Sequence, residues 1–219
     1  VLTIDGPSGA GKGTVSARVA AALGWHLLDS GAVYRAVALQ ALDQGLSPDS
    51  QAAADQDQLI DISQHLDLSF KPGADGIDVL LSDRIVNDRL RTEAVSVMAS
   101  KSAAIPAVRE ALLKLQRDCR VAPGLVADGR DMGTVVFPDA QIKVFLDASV
   151  EERAQRRYKQ LKEKGESVIL SRLFRDMLER DRRDRERAVA PTVPAADAVV
   201  IDSTHLSLDQ VVEAILQLA

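Results

Sequence analysis

Five short apolar runs, each ending in aspartate, constrain this chain more than any other feature. They are Val1–Asp5, Trp25–Asp29, Leu125–Asp128, Ile142–Asp147 and Val199–Asp202. Strands buried on both faces of a parallel sheet read as nearly continuous Val, Leu and Ile, whereas one-sided antiparallel strands alternate. Helical periodicity fills the gaps. It is clearest at Leu208, Val211, Val212, Ile215 and Leu216, spaced i, i+3, i+4, i+7, i+8. Ser207 followed by Gln210 reads as a capping box before that helix, and Ser149 with Glu152 repeats the signal after the fourth strand. The expected fold is α/β, a five-stranded parallel sheet with helices on both faces. Its strand ends place carboxylates at the crest where such sheets bind ligands.

About 95 residues separate the second and third strands, too many for one crossover helix. Within them Leu66–Phe70 alternates with period two, Lys71–Gly76 is a turn cluster, and Ile77–Leu81 returns as a strand. A small antiparallel insertion over residues 60–105 is expected, with the core formed by 1–59 and 106–219. Ala52–Ala54 and the Gln and Asp residues around it read as a solvated surface segment. Aromatics are only 3% of the 219 residues, so the core must be aliphatic.

A net charge of −5 argues against a general nucleic-acid binder. The charge is uneven, however. Residues 150–187 hold 13 Lys and Arg against 9 Asp and Glu, so an anion is more readily met there. One cysteine, Cys119, permits no internal disulfide and belongs to no Cys/His zinc pattern. No apolar run reaches the roughly 18–20 residues needed to span a bilayer. The composition points to a soluble, cytoplasmic protein, monomeric and without a membrane partner.

The first strand runs into Gly6-Pro7-Ser8-Gly9-Ala10-Gly11-Lys12-Gly13-Thr14, followed by helical spacing at Val15, Val19 and Leu23. Glycines let backbone N–H groups turn around a phosphate, the helix N-terminus adds its dipole, and Lys12 supplies a point charge in a solvent-facing loop. The generic motif has Ser or Thr directly after the lysine to ligate magnesium. Here Gly13 stands in that place and Thr14 follows one step later.

Three further stretches carry chemistry. In Asp29–Arg35 (DSGAVYR), Ser30 is expected to cap a helix carrying Arg35 about one and a half turns in. In Asp128–Gly133 (DGRDMG), two carboxylates flank Arg130, and Gly129 and Gly133 would permit unusual backbone angles in a ligand-shaped loop. In Glu179–Arg187 (ERDRRDRER), all nine residues are charged. That run reads either as a solvated helix laced with ion pairs or as an arm presenting several guanidiniums to a phosphate.

Together GPSGAGKGT, LLDSGAVYR, ADGRDMGTVVFPDA and RDRERAVAP resemble the bacterial-type cytidylate kinases, P-loop nucleoside monophosphate kinases, over essentially the whole chain. The resemblance implies transfer of a phosphoryl group from ATP, with Mg²⁺, to CMP or dCMP. It implies an insertion that closes over the monophosphate and a helical lid at about 149–188. By the same resemblance the residues from Gly6 to Thr14 hold the ATP phosphates, and Arg35, Arg130 and Arg187 clamp the acceptor phosphate. Ser100, Arg109 and Asp131 would read cytosine, Arg180 and Asp184 would contact the sugar, and Asp128 would organise magnesium through water. Of Arg153, Arg156 and Arg157 at the start of the lid, Arg157 is the one assigned to ATP, while Ser30 joins the substrate set.

Two other classes compete. A GTP-binding switch would carry an Asn-Lys-x-Asp element, but the only asparagine, Asn87, is followed by Asp88. A nonenzymatic ATP-dependent assembly protein would not need arginines grouped around a second anionic site. Within the kinase class, UMP or AMP is the alternative acceptor.

Overall fold

The computed structural model describes residues 1–219 except 48–51, 74–75, 164 and 166. All five expected strands are present: β1 (Leu2–Asp5), β2 (His26–Asp29), β6 (Leu125–Asp128), β7 (Ile142–Asp147) and β8 (Val199–Asp202). They form one parallel sheet in the order β2-β6-β1-β7-β8. The other three strands, β3 (Leu68–Gly73), β4 (Gly76–Leu81) and β5 (Arg84–Ile85), form a separate antiparallel sheet. The α-helices among the described residues are α1 (Lys12–Leu23), α2 (Ser30–Asp43), α3 (Ala53–Gln64), α4 (Glu93–Ser102), α5 (Pro106–Asp118), α6 (Val150–Glu163), α7 (Leu170–Glu186) and α8 (Leu208–Leu216).

The chain divides into two compact units, one of residues 1–28 and 119–219, the other of 29–118. In the first, Leu2 and Ile4 of β1, Val126 of β6, and Val144 and Leu146 of β7 join Val15 and Val19 of α1 in one cluster. Val211, Val212 and Ile215 of α8 complete it. That aliphatic cluster forms one face of the sheet's core. On the other face Thr3 and Lys143 lie against Gly133 so closely that a Cβ there would meet Thr3 Oγ1 at 2.9 Å. β1, flanked by β6 and β7, is the central strand. The chain leaves β1 toward one edge and β6 toward the other, so the tips of β1 and β6 lie at the switch point where open α/β sheets bind ligands. Gly129 N–H donates to Ile4 O at 3.1 Å and joins those tips.

In the second unit, α2 packs on α4 and α3 on α5. β3 and β4 fall on the expected alternating segments, although Ala74 and Asp75 of the expected turn lie outside the described residues, as does Gln51 of the surface segment near Ala52. The short β5 has no counterpart in the sequence reading, because two residues cannot display alternation. It is reached through Ser82 and Asp83, both in left-handed conformation (φ 47° and 60°), which supplies the twist of a two-residue hairpin without the usual Asn-Gly. Asn87 pins this hairpin by accepting from Val79 N at 2.7 Å and donating to Ile77 O at 3.2 Å.

The helix starts were read unevenly. The capping box at α8 is complete: Gln210 N donates to Ser207 Oγ at 3.2 Å and Ser207 N to Gln210 Oε1 at 2.9 Å. At α6 only half forms, Glu152 N to Ser149 Oγ at 3.2 Å, because the Glu152 carboxylate takes Arg156 Nε instead. Cys119 lies in the turn just after α5. Since the α8 cap is exposed and its helix anchors the core, Ser207→Ala is expected to cost about 1 kcal/mol. A urea titration showing that loss, with unchanged turnover, would confirm the box as purely structural.

Candidate active site

The phosphate-loop residues Gly6–Gly11 link β1 to α1, as the sequence requires. Gly6 cannot be replaced there, because a Cβ would stand 2.0 Å from Leu146 O. Lys12 is the first residue of α1 and only 5% exposed, so it is buried rather than solvent-facing. Its ammonium donates to Pro7 O at 2.9 Å. Burial pulls its pKa well below the usual lysine value, the Arg130 guanidinium adds to the effect, and Asp128 and Asp5 oppose it. An ammonium desolvated beside another cation is a receptor for anions.

Asp128, at the tip of β6, faces the loop: its Oδ2 lies 3.6 Å from where a Cβ on Gly13 would stand. Asp131 is 2% exposed and precedes a five-residue π-helical turn, Met132–Val136. The expected ligand-shaped loop is thus only residues 129–131. Gly129 and Gly133 are not at positive φ, which corrects the sequence reading. Gly133 is there for lack of room, with its would-be Cβ crowding Thr3 and Lys143. At Gly129 a Cβ would first meet the flexible Met132 side chain.

Asp5 has a role of its own that its place as one of five strand-end acids does not single out. Its two carboxylate oxygens accept Met132 N–H and Gly133 N–H, both at 2.8 Å, and so hold the start of the π turn against β1. Burial raises its pKa to about 7, while the two N–H bonds and Lys12 pull the other way. An acid at every strand end hinted at such a role, but nothing local distinguished Asp5 from the other four.

The charged run resolves by face along α7. Glu179, Arg182, Arg185 and Glu186 are exposed; Arg180, Arg183 and Arg187 are half-buried, and Asp181 and Asp184 are buried. Arg130 Nε donates to Asp184 Oδ2 at 3.3 Å and its Nη1 to Gly129 O at 3.1 Å. Arg187 ends the helix, its Nε donating to Ala190 O, and Thr192 N returns to Asp184 O at 2.8 Å. On α6, Arg156 is held by Glu152 and Ser203, whereas Arg157 is half-buried and forms no ion pair among the described residues.

In the other unit, Asp29 rather than Ser30 caps α2. Its Oδ1 accepts from Ala32 N at 2.9 Å, and its Oδ2 from Arg35 Nη2 at 2.7 Å. Ser30 lies inside the helix and donates to Gln116 Oε1 on α5 at 2.7 Å. Arg109 of α5 donates to Ala103 O at 3.2 Å and lies 5.5 Å over the Tyr34 ring. Ser100 of α4 is 8% exposed, and its hydroxyl has no hydrogen-bond partner among the described residues.

A parallel sheet with a glycine loop on its central strand, and a lysine opening the next helix, defines a P-loop nucleotide-binding protein. The cytidylate kinase family model matches residues 2–219. The chain is 57% identical to cytidylate kinases of Salmonella arizonae and Citrobacter koseri, over all of its own length and 94% of theirs. To that of Aeromonas hydrophila it is 56% identical, over all of its length and 93% of the relative. The chain belongs to the cytidylate kinase family.

Asp5 yields a pH prediction. Its folded pKa lies above its unfolded value, so the native state binds the proton more tightly. The stabilisation is fully present below about pH 4 and is lost as pH rises through about 7. Urea midpoints at pH 5 and 7.5 should show wild type weakening relative to Asp5→Asn by on the order of 2 kcal/mol over that interval. A pH slope identical in the two proteins would rule the titration out.

Proposed function

We infer that the chain transfers the γ-phosphoryl group of ATP to CMP or dCMP, giving ADP and CDP or dCDP. The observation that carries this reading is the desolvated Lys12 at the phosphate loop, with Arg130 beside it tied to Asp184 on α7. One cation set suits the donor phosphates, and a neighbouring set suits a second anion.

We assign Gly6 to Thr14 and Arg157 to ATP, and Arg35, Arg130 and Arg187 to the acceptor phosphate. Ser100, Arg109 and Asp131 are assigned to cytosine, Arg180 and Asp184 to the sugar, and Ser30 to the substrate shell through its tie to Gln116. The buried, unsatisfied Ser100 hydroxyl supports the base assignment, since burying such a group unpaired is costly unless a ligand completes it. We further assign residues 60–105 to monophosphate binding and about 149–188 to the lid.

An acceptor phosphate oxygen forms the new bond to the γ-phosphorus as the bond to the bridging oxygen of ADP breaks. No side chain becomes covalently linked. Lys12 and the arginines align the two phosphates and neutralise the charge that spreads over the transferring group. Magnesium fits the donor set: one buried carboxylate, Asp128, beside the loop suits an ion bound chiefly by phosphates and water. When bound, it would supply further charge neutralisation at the ATP phosphates.

A coupled ADP-release assay with CMP, dCMP, UMP and AMP tests the reading, and activity on AMP alone would overturn it. Lys12→Ala should lose 10²–10⁴ in kcat, about 3–5 kcal/mol, while the fold persists. The ligand-free protein gains little from an ammonium whose burial is opposed by its surroundings. A folded Lys12→Ala protein with near-normal kcat would end the phosphate-loop assignment.

Base choice gives a sharper test. Cytosine offers an amino donor where uracil has O4, and an N3 acceptor where uracil has N–H. A carboxylate from Asp131 and a guanidinium from Arg109 match the first pattern and clash with the second. Sites of this kind discriminate by about 10⁴–10⁵. Asp131→Ala should therefore lose CMP activity and narrow the CMP/UMP ratio of kcat/KM. If both substrates fall together at constant ratio, Asp131 does not read the base.

A further inference from the structure

Arg153 has a nearly fully occupied guanidinium, and none of the roles assigned above uses it. It is 1% exposed. Its Nε donates to Ala148 O at 2.9 Å, and its Nη1 donates to Ser8 O at 2.9 Å and Asp181 Oδ1 at 3.2 Å. Its Nη2 donates to Asp181 Oδ2 at 2.5 Å. Four of the five N–H groups of an arginine are thereby used. The three partners come from the phosphate loop, from the end of β7, and from α7.

The Ser8 contact is the informative one. Ser8 O and Gly9 N–H belong to one trans peptide plane, in which carbonyl and N–H point to opposite sides. Fixing the carbonyl on Arg153 aims the Gly9 N–H away from the guanidinium. Gly9 has φ 80°, and a glycine in that conformation lets its peptide plane turn with little steric resistance. Something must therefore hold it. Arg153 and Met177 also form the floor under Gly9, where a Cβ would stand 3.3 Å from Arg153 Cβ and 2.7 Å from Met177 Cε.

We propose that Arg153 is a positioning residue for the donor nucleotide: held by Asp181 of α7, it fixes the Ser8–Gly9 peptide so that the Gly9 N–H faces the ATP phosphates. The proposal rests on the phosphate-loop assignment above. It also gives the buried ion pair a task beyond stability. Buried pairs are often replaceable by hydrophobic residues without loss of stability, but no aliphatic side chain can hold a carbonyl.

Two variants test it. Arg153→Lys keeps a charge for Asp181 but lacks the fork needed to reach Asp181, Ser8 and Ala148 together. Arg153→Met combined with Asp181→Leu removes both charges at once. In each, the ATP KM should rise about ten- to a hundredfold while the CMP KM stays within about twofold. The ADP-induced change in the Gly9 amide resonance should shrink. A wild-type ATP KM with an undisturbed Gly9 response in either variant would overturn the proposal. So would ATP and CMP KM values rising together in step with lost thermal stability, as a purely structural pair requires. Lys12→Ala separates the two levels of the argument. If that variant too leaves ATP use intact, the loop assignment itself fails; if it is inactive while Arg153→Lys is normal, only the role of Arg153 is rejected.

Discussion

Lys12 is buried, and its burial, more than any neighbouring charge, pulls its pKa down; Arg130 and Arg180 act in the same direction and Asp128 and Asp5 oppose them. Much of the first unit can be understood as support for that arrangement. A cation placed in low dielectric beside other cations attracts any anion that enters more strongly than it would in water, which offsets part of the cost of burying it. The strand tips bring the parts together. β1 delivers the loop and Asp5, β6 delivers Asp128 and Arg130, and the link between Gly129 N and Ile4 O keeps the two tips in register.

The carboxylates around this site divide their work by geometry. Asp5 spends both oxygens on backbone N–H groups of the π turn, Asp181 spends both on Arg153, and Asp184 accepts from Arg130. Asp181 and Asp184 are three residues apart on α7 and so lie on one face of the helix. That face is buried yet charged, with Met177 one turn earlier its aliphatic member. An inward helix face of this kind does not pack by hydrophobic burial alone. It is specified by ion pairs, which cost desolvation and in return fix direction. The exposed residues of the same run, Glu179, Arg182, Arg185 and Glu186, keep their charges in water.

The second unit shows the same economy at Asp29. One carboxylate caps α2 and pairs with Arg35, so helix start and guanidinium orientation are set by a single residue. Ser30, freed from capping, ties α2 to α5 through Gln116. Arg109 is likewise held, by Ala103 O and the face of Tyr34.

What the sequence determined by itself was local in origin. Apolar runs without alternation specified parallel strands; glycine spacing followed by Lys12 specified the phosphate loop; and Ser207 with Gln210 specified a helix start. Each depends on residues within a few positions of one another, where backbone sterics and periodicity act directly. Only the tertiary structure decided the rest. It chose Asp29 over Ser30 as cap, because that choice turns on backbone angles that adjacent polar residues share equally well in the sequence. It found Gly133 necessary for space beside Thr3 and Lys143 rather than for its φ. It separated the buried from the solvated charges of α7, since their partners Arg130 and Arg153 lie 54 and 28 residues away along the chain. Charge identity is written in the sequence, but the worth of a charge depends on its burial and its partner's position, and both exist only once the chain has folded.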